Sequence, residues 1–130
     1  MRSRYAAFAL GLGTYLVDTL ATAHPDRALP REPLVHELSR ARVSQRFTGL
    51  RILSSATGGP SGEDLDRGQV LFVASVFVEG RDRSFVELSD FVRERGAWRY
   101  AGGVVAPARL FGDDLASLTP ATFVARVAAT

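Results

Sequence analysis

Tyr5, Phe8, Ala9 and Leu12 fall at i, i+3, i+4 and i+7, the spacing that lines one face of an amphipathic helix. Gly11 and Gly13 interrupt that stripe, and Tyr15, Leu16, Thr19 and Leu20 begin another, so residues 2 to 22 predict two helices or one broken helix. His24-Pro25 ends it. The stretch "HPDRALPREP" holds three prolines and predicts a loop, with Pro33 in the first turn of a third helix that carries Leu34, Val35, Leu38 and Ala41 on one face.

From Phe47 the period changes from 3.6 to 2. "FTGLRILSS" sets Leu50 and Ile52 on one side, which predicts a strand over 47 to 56. The Gly-rich, acidic "TGGPSGEDLDRG" predicts an irregular surface connection; without a following Lys and Ser/Thr it is no phosphate cradle. "QVLFVASVFV", residues 69 to 78, is apolar on both parities, as expected of a strand covered on both faces. Gly80 starts a turn, and Gly96 supplies the positive φ that a short hairpin loop needs, so strands 68 to 79, 83 to 94 and 97 to 104 predict an antiparallel meander. In "LTPATFVARVAAT", Thr119 is placed as a cap and Pro120 at the first helical position of a short C-terminal helix carrying Phe123 and Val127. Helices first and strands afterwards imply an α+β fold, a curved antiparallel sheet of about four strands with helices on one face.

Composition narrows the possible functions more than it names one. The chain has 130 residues, 46% of them hydrophobic, which suits a single domain with a real core. Its 16 basic residues are all arginine and lie interspersed with 14 acidic ones, so no basic face stands out and nucleic acid is not an expected partner. There is no cysteine, which excludes thiolate catalysis, disulfides and Cys-based zinc sites. The two histidines, His24 and His36, have no clustered partners, so no metal and no cofactor is expected. Residues 1 to 23 have the outline of a secretory signal, but Asp18 and the amphipathic stripe favour a folded segment, and a cytoplasmic location is the expectation. No apolar run is long enough to span a membrane.

Four strings, "MRSRYAAFALG", "YLVDTL" running to "HP", "GLRILS" and "FVRERGAWRYAGG", occur in an order and spacing that resemble the YchJ-like family. Its pattern is MRSRYxAF, then YL and WHP, a central GL strand, and ERSRFxRExGxWYYxxG; the resemblance covers about residues 1 to 103. It implies a nuclear transport factor 2-like, cystatin-like cone over residues 1–106, with 107–130 as a C-terminal extension of the same single domain. Relatives in this family often carry Cys-rich SEC-C zinc motifs, which this sequence does not have. It departs from the pattern also at Asp90, where the family has arginine, at "ATAHP", which lacks the tryptophan, and at Arg99 in place of the first of two tyrosines.

Chemistry enters with residues 85 to 92. Phe85, Glu87, Ser89 and Phe91 share one parity, and Val86, Leu88, Asp90 and Val92 the other, so each face of one strand receives a carboxylate. An unpaired buried charge is costly, so each acid needs a partner. The family pattern, which holds the arginine-rich start and the glutamate together, implies Arg2 and Arg4 as partners of Glu87. For Asp90 the expected partners are Arg93, Arg99 or an arginine of a second copy. Pocket candidates are Arg2, Arg4, Tyr5, Glu87, Trp98 and Tyr100, with Glu87 and Asp90 the only candidate catalytic acids. The expected role is a non-catalytic module that binds a small apolar ligand or a protein, with a homodimer through the sheet as one form. The alternative is an isomerase, dehydratase or hydrolase that uses an acid in the cone pocket; fold analogy is its chief support.

Overall fold

The computed structural model describes residues 1–59 and 61–130. Four helices precede the sheet: α1 (Arg2–Leu10), α2 (Gly13–Asp18), α3 (Arg31–Ser39) and the single turn α4 (Ala41–Ser44). Gly11 closes α1 in the left-handed conformation, φ 71°, and its N–H returns to the carbonyls of Ala7 and Phe8. The first stripe is therefore a broken pair of helices. Pro30 precedes α3 and Pro33 sits in its first turn, where a missing N–H costs nothing.

Five antiparallel strands follow: β1 (Gln45–Gly58), β2 (Asp64–Val78), β3 (Arg81–Asp82), β4 (Phe85–Glu94) and β5 (Ala97–Pro107). The sheet order is β1-β2-β4-β5, with the two-residue β3 paired to the end of β2. Two of the connections are two-residue turns with positive φ at both central positions, Glu79-Gly80 (52° and 77°) and Arg95-Gly96 (51° and 79°). The first of these creates β3, which the sequence pattern did not resolve. The acidic connection expected to be irregular is a correction: β1 and β2 pair on to Gly58 and Asp64, leaving a tip of only a few residues. Its exposed polar strand ends give no apolar alternation to read, yet their backbone groups still pair. Pro60, within that stretch, lies outside the described residues.

Register shifts in β1 between Phe47 and Gly49, Ile52 and Ser54, and Thr57 and Gly58 bend the sheet. On its inner side, Phe72, Ala74 and Val76 are buried against Met1, Tyr5, Phe47, Leu50, Ile52 and Phe85. On its outer side, Leu71, Val73, Val86, Leu88 and Ala106 form one core with Phe111, Leu118 and Phe123 from the C-terminal segment. That segment runs through two 3-10 turns (Ala108–Leu110 and Gly112–Ser117) into α5 (Pro120–Ala128). Thr119 and Thr122 cap α5 reciprocally, and Phe123 stacks on Phe111 with ring centroids 5.6 Å apart. The doubly apolar β2 is thus covered on one face by the N-terminal helices and on the other by residues 108–127.

Candidate functional site

Glu87 lies opposite Phe72 in the sheet, so its side chain shares the inner face with the N-terminal helices. It is 9% exposed, and neighbouring Ser89 is fully buried. Ser89 Oγ donates a short hydrogen bond to Glu87 Oε2, and Tyr100 Oη donates another at 3.0 Å. Two O–H donors therefore converge on one oxygen of this carboxylate, Oε2.

A bulge places Tyr100 there. Asp90 pairs with Gly102, but Phe91 pairs with Tyr100, so Ala101 is the extra residue and the facing parity of β5 flips. Gly103 on one side of the bulge and Tyr100 on the other can then both meet Glu87. A Cβ at Gly103 would stand 2.7 Å from Glu87 Oε2 and 3.0 Å from the Leu88 carbonyl, so only glycine leaves the carboxylate room. The edge of β5 is held as well: Tyr100 N–H donates to the Thr19 carbonyl and Ala21 N–H to the Tyr100 carbonyl, each at 2.8 Å.

Arg4 enters from α1. It is only 6% exposed, with its guanidinium carbon 4.6 Å from the centroid of the Tyr100 ring. Nη1 donates to the Leu16 carbonyl at 3.0 Å and to Thr19 Oγ1 at 2.5 Å, tying the end of α2 to α1. Burial pulls the Arg4 pKa down, and the nearby Tyr100 hydroxyl, Glu87 and Tyr15 push it back up. Burial also raises the Tyr100 hydroxyl, helped by the charge of Glu87 and the hydrogen bond to it. Tyr100 thus stays a neutral donor.

Beside this group lies a chamber of about 460 Å³ between the helices and the sheet. Ser3, Arg4, Tyr15 and Thr19 form its helical wall; Val70, Phe91 and Trp98 form the apolar part of its sheet wall. Ser55, Ala56 and Thr57 of β1 complete it. Trp98 is 40% exposed at the rim, with Arg93 5.3 Å over its ring.

Arg4, Glu87, Tyr100 and Trp98 of the sequence-level candidates come together here. Arg2 does not: it is exposed on α1. Tyr5 packs edge-on against Phe47 at 5.5 Å, as part of the inner core. The expected ion pairs are corrected. Among the described residues neither Arg2 nor Arg4 forms an ion pair with Glu87, because Arg4 is turned toward Leu16 and Thr19 and the hydroxyls of Ser89 and Tyr100 reach the carboxylate first. Asp90 is met by Gln69 Nε2 at 2.8 Å across the outer face, while Arg93 pairs with Asp66 and Arg99 donates to the Asp18 carbonyl. Pattern reading missed Thr19 and Gly103. The glycine pair in "YAGG" was the available signal, since glycine inside a strand marks close approach.

Helices followed by an antiparallel sheet agree with what comparison with known proteins finds. The family model described as YchJ, middle NTF2-like domain, matches residues 1–103. The chain belongs to that family. A UPF0225 protein of Chromobacterium violaceum is 42% identical over 106 residues, which cover 82% of this chain and 71% of that one. A UPF0225 protein of Streptomyces coelicolor is 40% identical over 103 residues, 79% of this chain and 69% of that one. A crystal structure from Nostoc punctiforme, described as a domain of unknown function with a cystatin-like fold, superposes with a TM-score of 0.60. It is 14% identical and covers 99% of this chain and 92% of its own, which shows the fold alone. None of these names states an activity or a ligand, so the role of this YchJ-type domain has to be argued from its site.

Proposed function

We propose that this domain is a non-catalytic binding module whose site is the chamber between α1, α2 and the inner face of the sheet. The observation that carries this reading is the chemistry of the wall. Among the residues lining it, Arg4 is the one charged side chain, and the other side chains that face it offer hydroxyls and apolar surface. A wall without carboxylate or imidazole side chains offers no side-chain general base at neutral pH. Volume and lining fit a small molecule, since such sites are concave, mainly apolar and carry few polar groups.

The enzymatic alternative has one point in its favour, namely that among the described residues no guanidinium forms an ion pair with Glu87. Against it, Glu87 lies outside the chamber wall and accepts hydrogen bonds from Ser89 and Tyr100, while Asp90 belongs to the opposite face. A second copy docking through the sheet would meet the half-exposed Val104 and Val105 of β5, since Phe111 and Phe123 already occupy the outer face.

The test is a thermal-shift screen of small amphipathic molecules against the wild type and Ser55→Phe. Ser55 is exposed on β1, pairs with the inner-face Val70 and lines the chamber, so a phenyl group there fills space without entering the core. Compounds that raise the wild-type melting temperature and leave the variant unmoved are expected. Equal shifts in both proteins would overturn the assignment.

A further inference from the structure

We infer that the ligand of this chamber carries a carboxylate on an apolar body, and that Arg4 takes the carboxylate through its Nε and Nη2 hydrogens. The inference rests on the chamber being the binding site, as proposed above.

Arg4 divides its donors. Nη1 is used within the protein, on Leu16 and Thr19, and this fixes the plane of the guanidinium with the Tyr100 ring stacked on it. Among the described residues no acceptor is bonded to Nε or Nη2, and no buried side-chain nitrogen lacks a partner, so these two groups retain access to open space. The space that Arg4 lines is the chamber. Nε–H and one Nη2–H form a parallel pair matched to the two oxygens of a carboxylate, and such bidentate contacts are among the stronger hydrogen bonds in proteins. An arginine that is 6% exposed and forms no ion pair is uncommon, because a desolvated charge ordinarily finds its opposite.

The same surroundings set the charge and body of the ligand. Arg4 is the single cationic side chain in the wall, so the anionic group of the ligand is set against it. Val70, Phe91 and Trp98 face the helical wall and suit a flat or aliphatic body. Inorganic phosphate, without apolar surface, leaves that part of the wall unmatched.

The experiment is isothermal titration of the wild type and of Arg4→Gln with benzoate and with its neutral isostere benzamide. Benzoate is expected to bind the wild type at least tenfold more tightly than benzamide. Arg4→Gln should bring benzoate down to the level of benzamide and leave benzamide within about twofold of its wild-type affinity. Should Arg4→Gln fail to fold by circular dichroism, the wild-type pair decides, together with a shift of the Arg4 Nε–H resonance under benzoate and not under benzamide. Equal affinity for the two probes, both abolished by Ser55→Phe, overturns the carboxylate assignment and leaves the chamber standing. Displacement of benzoate by equimolar inorganic phosphate also overturns it, by showing a simple anion site. Absence of binding by either probe contradicts both readings.

Discussion

The two faces of the sheet are built from the same strands, yet they are finished in opposite ways. On the outer face, Leu71, Val73, Val86 and Leu88 meet Phe111, Leu118 and Phe123, and the chain's own last segment covers that half of the surface with an apolar core, while Gln69, Asp90 and Val92 line a separate groove beyond it. On the inner face, the row that begins with Phe72 and Phe85 passes to Glu87, Ser89 and Tyr100 and then opens into a chamber under Arg4. Packing of the first kind supplies stability. The second surrenders part of that packing for a desolvated cation and a carboxylate held by hydroxyls, and such an exchange is expected at a site. The acids on alternate parities thus answer to different needs: Glu87 is a buried support for Tyr100, while Asp90 meets Gln69 at the edge of the sealed face.

The largest effect should come from unsealing the outer face. Phe123→Ala removes a fully buried ring stacked on Phe111 and is expected to cost about 3–5 kcal/mol. A urea melt measures this, and an unchanged midpoint would show that the tail does not hold the sheet. Next is Gly103→Ala, which drives a methyl group into the Glu87 carboxylate and should cost about 1–3 kcal/mol by crowding. Its damage should be relieved in part by Glu87→Ala in a double-mutant cycle, whereas additive losses would deny that the two meet.

Tyr100→Phe sharpens the comparison further, at about 1 kcal/mol for the lost donor to Glu87. It also has a pH signature. The folded-state pKa of Tyr100 is raised, so the folded protein keeps a proton that the unfolded chain releases above about pH 10. The contribution of this tyrosine is fully present below that pH and falls as pH rises through it. Alkaline melts should therefore decline less steeply for Tyr100→Phe than for the wild type, and parallel profiles would refute the assignment. Smallest is Asp66→Ala, which breaks a solvent-exposed pair with Arg93 and should change stability by less than about 1 kcal/mol in the same urea melts.

Much of this was legible in residue order. The period-2 runs gave the meander, Gly96 its turn, and Thr119-Pro120 the start of α5, because each of these is a local preference that the tertiary structure does not oppose. The extended polar ends of β1 and β2 and the two-residue β3 were not legible, since backbone pairing alone sustains them. At the site, alternation placed Glu87 on one face and Asp90 on the other. It could not choose partners: whether Arg4 turns to Glu87 or to Leu16 depends on how α2 docks against the edge of β5 at Tyr100, a contact 81 residues apart in sequence between Thr19 and Tyr100. The bulge at Ala101, which brings Gly103 and Tyr100 to the same carboxylate, leaves only a glycine pair as its trace.

The contrast between the open inner chamber and the sealed core under the C-terminal segment is tested most directly by a ¹H–¹⁵N NMR titration with 2-naphthoate, followed at every assigned amide and at the indole N–H of Trp98. The account predicts saturable shifts confined to the chamber wall, at Ser3, Thr19, Gly68, Val70 and Trp98, with Ala106, Phe111 and Phe123 unmoved. Shifts centred on those three outer residues, with the chamber silent, would contradict it.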